Sequence, residues 1–328
     1  MKKPAGVSKK AVSHKQIPPV LFGCPLDEEA PELLPRPFLT ALKKTKADRD
    51  LVLNPCCFFD SPELRSLPYL HQFSTPDEIV WVLDPDRNAL QPFWLGGELR
   101  RRLADLQPGE PAPPDLPRGL VQVLHFAGVL TNQADRERGS RELARMVTKA
   151  EAFFQKNHFV PLNGLLHPFH IAALRRYIRG LAASKGLSAG KEGYKHCHLK
   201  HNETVARFFH YQLTDVVSEV VGEPVQPSFA FICSYHGGAE LSRHTDREQC
   251  EFTVSLCVDF IPEPQDVTSW PLYMETRGGR VVIEQALGDG ILFCGREVPH
   301  FRNRLADGCT STSILFHFVR RNFDGQLN

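Results

Sequence analysis

Four short apolar runs in the second half of the chain limit what it can fold into. They are Phe229-Ala-Phe-Ile-Cys-Ser-Tyr235, Phe252-Thr-Val-Ser-Leu-Cys-Val-Asp-Phe260, Ile291-Leu-Phe-Cys294 and Thr312-Ser-Ile-Leu-Phe-His-Phe-Val319. Each is bounded by turn residues, as in His236-Gly-Gly238 and Leu287-Gly-Asp-Gly290, so they read as sheet strands. Between the first two runs stands Leu241-Ser-Arg-His-Thr-Asp-Arg247. His244 and Asp246 are two apart and on a strand would project from one face. A second imidazole, His300, follows 54 residues after Asp246 in Glu297-Val-Pro-His-Phe-Arg302. Two imidazoles and one carboxylate leave one face of a metal open, the donor set that suits ferrous iron. A lone His-x-Asp in a chain with 14 histidines says little, and it is the order strand, turn, donor pair, strand that gives the pair meaning.

The ordered set Tyr235-x-Gly-Gly-x-x-Leu-x-x-His244-x-Asp246, Gly288-Asp-Gly290-x-x-Phe293, Pro299-His300 and a Gly308-led terminal strand resembles the Fe(II)/2-oxoglutarate-dependent oxygenases of the prolyl-4-hydroxylase-like type. The resemblance covers about residues 155–320. It implies an α+β, mainly β chain with a double-stranded β-helix (jelly-roll) core buttressed by helices. His244, Asp246 and His300 would be the catalytic metal ligands, with Fe(II), 2-oxoglutarate and molecular oxygen as cofactor and cosubstrates. The implied reaction couples decarboxylation of 2-oxoglutarate to hydroxylation, or a related C–H oxidation, of an amino acid, a peptide or a small natural-product intermediate. Asp246 favours hydroxylation, because halogenating relatives carry a small residue there. Tyr235 would touch the cosubstrate through its hydroxyl or pack as a plain aromatic.

One position departs from that pattern. The resembling enzymes place Arg or Lys about ten residues beyond the distal histidine to hold the far carboxylate of the cosubstrate, and this chain has Thr310 there. Strand alternation offers Arg302 and Arg304, which share a face with His300, and Arg302 is preferred as the nearer. Thr310 and Thr312 could add hydroxyl donors. Arg243 and Arg247, beside the donor pair, read as rim charges or substrate contacts. A second reading, of another class, is a non-catalytic β-helix serving as a sensor or interaction protein.

Net charge is +1, from 39 basic and 38 acidic residues, which gives no electrostatic case for nucleic acid or an anionic membrane. Nine cysteines without CxxC spacing, and no signal-type or membrane-spanning apolar run, point to reduced thiols in a cytoplasmic setting. Adjacent Cys56 and Cys57 read as packed thiols.

Along the chain, residues 1–16 read as a mobile basic tail and 17–135 as an N-terminal domain, followed by 136–328 as the oxygenase domain. A helix is expected at 37–46. A hairpin (79–83, a turn at 84–88, then 89–95), a helix (97–106), a Pro-rich loop and a helix (120–126) together resemble a small winged-helix-like module. Such a module serves as a scaffold or homodimer contact, holds a peptide, or contacts DNA, in that order of preference. Helices are expected at 142–154, 169–183 and 204–221, and a strand at 157–162. The segment 194–201, with His196, His198 and His201 around Cys197, reads as a loop or lid rather than a zinc site, because its spacing fits no zinc pattern.

Overall fold

The structure, a computed structural model, describes residues 18–47, 50–59, 62–84, 88–190 and 196–327. The basic tail expected at 1–16 lies outside the described residues, as do most of the 84–88 turn and the first two residues of the 194–201 segment.

Eight strands form the centre: β1 (Val225–His236), β2 (Leu241–His244), β3 (Phe252–Ile261), β4 (Leu272–Thr276), β5 (Gly279–Ile283), β6 (Gly290–Cys294), β7 (His300–Arg302) and β8 (Thr310–Arg320). One sheet runs β6-β3-β8-β1 and the other β2-β7-β4-β5, every pairing antiparallel. The chain crosses from one sheet to the other after β1, β2, β3, β5, β6 and β7, the winding of a double-stranded β-helix. Phe159–Leu162 extends the larger sheet beyond β6, and Cys197–His201 followed by Ser188–Ala189 extends it beyond β1. The Cys197–His201 stretch is therefore a sheet strand, not the loop its polar sequence suggested. Pairing with β1 satisfies its backbone, so an apolar pattern is not needed to hold it.

Period-two alternation divides the larger sheet. Ala230 and Ile232 of β1, Val254, Leu256 and Val258 of β3, and Ile314, Phe316 and Phe318 of β8 are fully buried in one core with the covering helices. Those helices are Gln133–Asn157, Pro168–Ala183, Thr204–Gln212 and Thr214–Val221. The last two divide the single helix expected over 204–221, breaking at Leu213. Gln133–Asn157 starts earlier than its apolar pattern, because the Asn132 side chain caps it by accepting from the Asp135 amide at 2.8 Å. Residues of the other parity face into the barrel and line a cavity, among them Phe231, Cys233 and Tyr235 of β1.

Helix Pro168–Ala183 is clamped to β3 by charge. Arg175 is fully buried and donates to Asp259 at 2.9 Å and to Glu263 at 2.8 Å, while Arg179 donates to both oxygens of Asp259 at 2.6 and 2.9 Å. Arg175 also donates to the Leu33 carbonyl, tying the N-terminal segment to the same point.

The N-terminal region contains helix Arg36–Lys44 and a three-stranded sheet, Cys57–Phe58, Ile79–Asp84 and Ala89–Trp94, followed by helices Gly97–Ala104 and Arg118–Phe126. It shares its hydrophobic core with the barrel's helical cover. Phe22 packs against Phe73 at 5.3 Å, Trp94 at 5.8 Å, Tyr177 at 5.9 Å and Phe209 at 5.8 Å. Phe93 stacks on His170 at 4.7 Å, and His170 Nε2 bonds the Pro92 carbonyl at 2.8 Å.

Two imidazoles are sealed in this shared core. Burial, helped by neighbouring His167, pushes His170 down to about 3, and burial together with Arg207 lowers His210 well below the ordinary histidine range. Once unfolded, both bind a proton below the usual value near 6.5, whereas the folded chain keeps them neutral, so stability falls as pH falls. Urea unfolding should show a loss of about 3 kcal/mol per pH unit from these two groups between about pH 5.5 and 4.5. A flat profile over that window would mean that neither imidazole is held neutral.

Candidate metal centre

The site is built on the pairing of β2 with β7, which sets His244 directly opposite His300. The register shifts between Leu241 and His244, and β2 ends at the histidine. The following turn is caught by the Asp246 amide donating to the Gly295 carbonyl at 2.8 Å, which brings the Asp246 carboxylate back between the two rings. Asp246 Oδ1 lies 3.6 Å from His244 Nε2 and 3.7 Å from His300 Nε2. One ligand atom from each of the three lies within 4.8 Å of the others.

The far side of each ring fixes its tautomer. His244 Nδ1 bonds the Ser242 carbonyl at 2.8 Å and His300 Nδ1 bonds the Val298 carbonyl at 3.0 Å. A carbonyl only accepts, so both Nδ1 atoms carry hydrogen, and in the neutral rings both Nε2 lone pairs point at the Asp246 oxygen. Three electron-rich atoms facing one another want a cation between them, and neutral nitrogen with carboxylate is a fitting set for ferrous iron. Burial lowers the pKa of His300, whereas interaction with Asp246 raises that of His244. Burial pushes Asp246 up, but His244, the charges of His300 and His317, and Thr253 together outweigh it and keep the carboxyl below its ordinary value.

The second oxygen of Asp246 is also held. Thr253 Oγ1 of β3 donates to Asp246 Oδ2 at 2.9 Å and pairs with His317 Nδ1 of β8 at 3.0 Å. A Cβ added at Gly295 would overlap Asp246 Oδ2 and the Cys250 carbonyl, so only glycine leaves the carboxylate its seat. Thr253, His317 and Gly295 carry no metal-ligand pattern in the sequence, and only the fold brings them to Asp246.

The triad borders a cavity of about 390 Å³ inside the barrel. Tyr235 and Arg302 line it as well, whereas Arg304 and Thr310 do not. Arg304 is exposed and paired with Asp307 at 2.8 Å, and the Thr310 hydroxyl lies 3.4 Å from His236 Nδ1. Thr312 is buried against Ser234 at 3.2 Å and is likewise absent from the lining. Strand parity explains the difference between the arginines: β7 ends at Arg302, so Arg304 no longer follows the alternation.

Arg302 is 7 % exposed. It donates to the Trp270 carbonyl and to Gln285 Oε1 at 3.0 Å, and its guanidinium lies 4.9 Å from the Trp270 ring centre. Among the described residues no carboxylate pairs with it. Gln285 is in turn locked by donating to the Ser255 and Asp289 carbonyls at 3.1 Å each. Tyr235 packs on Trp270 at 5.0 Å, and burial keeps its hydroxyl protonated.

Among the described residues two other donor groups converge, His158 with Cys294 and Glu297, and Asp246 with Cys250 and His317. In the latter His317 Nδ1 is engaged by Thr253, and burial raises the Cys250 thiol to about 12. No such convergence occurs among the described residues of the 194–201 segment, where His198 pairs with His236 at 2.9 Å and His201 packs on Phe231 at 4.8 Å. All nine cysteines are free thiols. Among the described residues no helix is long and apolar enough to cross a membrane.

No protein-family profile and no curated protein matches the chain. Solved structures do. A prolyl-4-hydroxylase from Pseudomonas putida is 18 % identical, with 54 % of this chain and 100 % of that chain covered and a TM-score of 0.44. A prolyl hydroxylase from Trichoplax adhaerens, solved with a hypoxia-inducible-factor peptide, is 15 % identical over 55 % of this chain and 93 % of that one, with a TM-score of 0.45. The α-ketoglutarate-dependent epimerase SnoN of nogalamycin biosynthesis is 12 % identical over 54 % and 84 %, with a TM-score of 0.46. At such identities and scores, the fold assignment stands on this chain's own strand order and registers.

Replacing Gly295 by Ala, or Thr253 by Val, should weaken Co(II) binding about 10- to 100-fold while leaving the circular dichroism spectrum unchanged. Wild-type affinity in both variants, read from the cobalt d–d absorption, would mean that the Asp246 seat does not matter to the metal.

Proposed function

We propose that the protein is an Fe(II)- and 2-oxoglutarate-dependent oxygenase that hydroxylates a small molecule or a peptide side chain. The single observation that carries the reading is the pairing, in one cavity, of a two-histidine, one-carboxylate set with a buried guanidinium that no carboxylate among the described residues answers. A buried charge without a partner costs several kcal/mol, so an anionic ligand is the natural complement of Arg302. A dicarboxylate with one end on the metal and the other on Arg302 satisfies both groups at once.

In this reading His244, Asp246 and His300 hold the metal. When bound, iron and 2-oxoglutarate supply the oxidation: O2 decarboxylates the keto acid to succinate and CO2, and one oxygen atom enters a substrate C–H bond. The chain's own residues orient and exclude. Nδ1 bonds to backbone carbonyls keep both imidazoles turned inward and basic at Nε2. Thr253 occupies Asp246 Oδ2 and leaves Oδ1 as the donor. Arg302, braced by Gln285 and the Trp270 carbonyl, offers its remaining N–H groups to the far carboxylate, with the Tyr235 hydroxyl as a further donor. Phe293 packs edge-on against His300 at 4.7 Å and would keep water from that side of a bound metal. The N-terminal region is read as a scaffold for the helical cover, because its core is the cover's core.

Anaerobic titration with Fe(II) and 2-oxoglutarate should develop the weak visible charge-transfer band of the chelate. His244→Ala should abolish it. Arg302→Ala should weaken 2-oxoglutarate binding about 100-fold, and Arg304→Ala should leave it unchanged. A wild-type protein that shows no band would refute the assignment.

A further inference from the structure

The cavity carries one more cation than this chemistry uses. Its lining includes a single carboxylate, Asp246, and two arginines, Arg247 and Arg302. With a divalent ion on the triad and a dianionic cosubstrate reaching Arg302, every charge of the lining is answered except that of Arg247. Among the described residues no carboxylate pairs with Arg247. The guanidinium is nevertheless held in place: it lies 4.4 Å from the centre of the Phe229 ring, which on its own side of the barrel is packed by His317 at 4.4 Å. Arg247 is exposed where Arg302 is buried, so the two mark the mouth and the deep end of one cavity.

What lies along the mouth side is apolar. Phe229, Phe231, Leu199 and Leu315 line it, and Phe231, Leu199 and Leu315 are only half-buried although they face into the barrel. The register sets Leu315 opposite Phe231, with Leu199 opposite the next inward residue, Cys233, so the three make one continuous strip. His201 closes its end, packed on Phe229 at 5.4 Å and Phe231 at 4.8 Å. Burial, Arg247 and Arg207 lower its pKa, so it adds a neutral ring to the apolar wall. A half-buried apolar strip ending in a guanidinium that bonds only the neutral Cys250 side chain, and whose charge no described carboxylate answers, is complementary to one kind of molecule.

We infer that the primary substrate is an amphipathic anion, an apolar body carrying a carboxylate or phosphate headgroup, with the body along Phe231, Leu199 and Leu315 and the headgroup on Arg247. The inference rests on the oxygenase reading for the identity of the reaction, but the binding site is defined by residues outside the triad. The headgroup at the mouth fixes the depth to which the body enters, and so selects which carbon lies beside the metal.

The test uses the full chain loaded with Fe(II) and saturating 2-oxoglutarate under anaerobic conditions. Octanoate, octyl phosphate, octanamide, 4-phenylbutyrate and 4-phenylbutyramide are titrated by calorimetry, each anion against the neutral amide of the same body. The anions should bind about tenfold more tightly than the amides, and the margin should shrink with salt. Arg247→Gln should bring acid and amide to equal affinity, and Arg247→Lys should restore part of the gap. Phe231→Ala should weaken acid and amide alike. The tighter of octanoate and octyl phosphate assigns the headgroup. Acid and amide binding equally to the wild-type protein, failure of every anion to bind, or a preference that survives Arg247→Gln would overturn the inference. A chelate band without anion preference removes this inference and leaves the oxygenase reading. Anion preference lost in Arg247→Gln but without a band does the reverse.

Discussion

His244 and His300 face each other across the pairing of β2 and β7, and the rest of the site follows from that register. Because side chains alternate with period two, a slip of one residue would turn one imidazole outward and leave no site. The smaller sheet holds the register through Met274 of β4, which pairs with His300 from the other side. Asp246 needs no strand of its own. It follows β2 closely enough that one backbone bond to Gly295, at the end of β6, carries its carboxylate to the two rings. The candidate metal centre thus joins both sheets at one open end of the barrel, with Thr253 and His317 of the larger sheet behind it.

The electrostatics of the barrel interior are arranged by depth. Arg302 is buried and braced by neutral oxygens, the triad lies beside it, and Arg247 stands at the rim. Buried cations are tolerated when their donors are used, and Gln285 and the Trp270 carbonyl use part of Arg302's fork while leaving the rest free. The contrast with Arg175 is instructive. Both arginines are buried, but Arg175 meets Asp259 and Glu263 and joins helix to sheet, whereas Arg302 meets only neutral groups.

Much of this was legible in the sequence where a strong local pattern coincided with the final structure. The long strand β1 is apolar on both faces, whereas β3 and β8 alternate an apolar helix-facing set with Thr253, Ser255, Ser313 and His317 towards the cavity, and both patterns read as strand. The convergence of His244, Asp246 and His300 was legible only through the order of strands and turns around them, with the two histidines at strand ends and Asp246 in the turn after β2. The hairpin of β4 and β5 has no clear strand signal: Leu272-Tyr-Met-Glu-Thr and Gly279-Arg-Val-Val-Ile mix polarity, and β5 is the largely exposed edge of the smaller sheet. The strand at Cys197–His201 carries no strand-like pattern either, since His198 and Lys200 point away from the barrel and His201 stands exposed at its mouth. Arg302 was preferred over Arg304 on distance alone. What separates them is that β7 ends between the two, which no local signal announces. Thr253 and Gly295 are ordinary strand and turn residues until the Asp246 carboxylate is seated against them.

The shared aromatic core around Phe22 also bears on how the chain reaches its fold. Phe22 closes on Tyr177 and Phe209, partners that a ribosome makes roughly 150 and 190 residues later, and such distant contacts are slow to form. The N-terminal third can bring Phe22, Phe73 and Trp94 together by itself, but the faces that meet Tyr177 and Phe209 stay open until the helical cover is synthesised. This core therefore cannot be completed in the order of synthesis before the helices that carry Tyr177 and Phe209 exist.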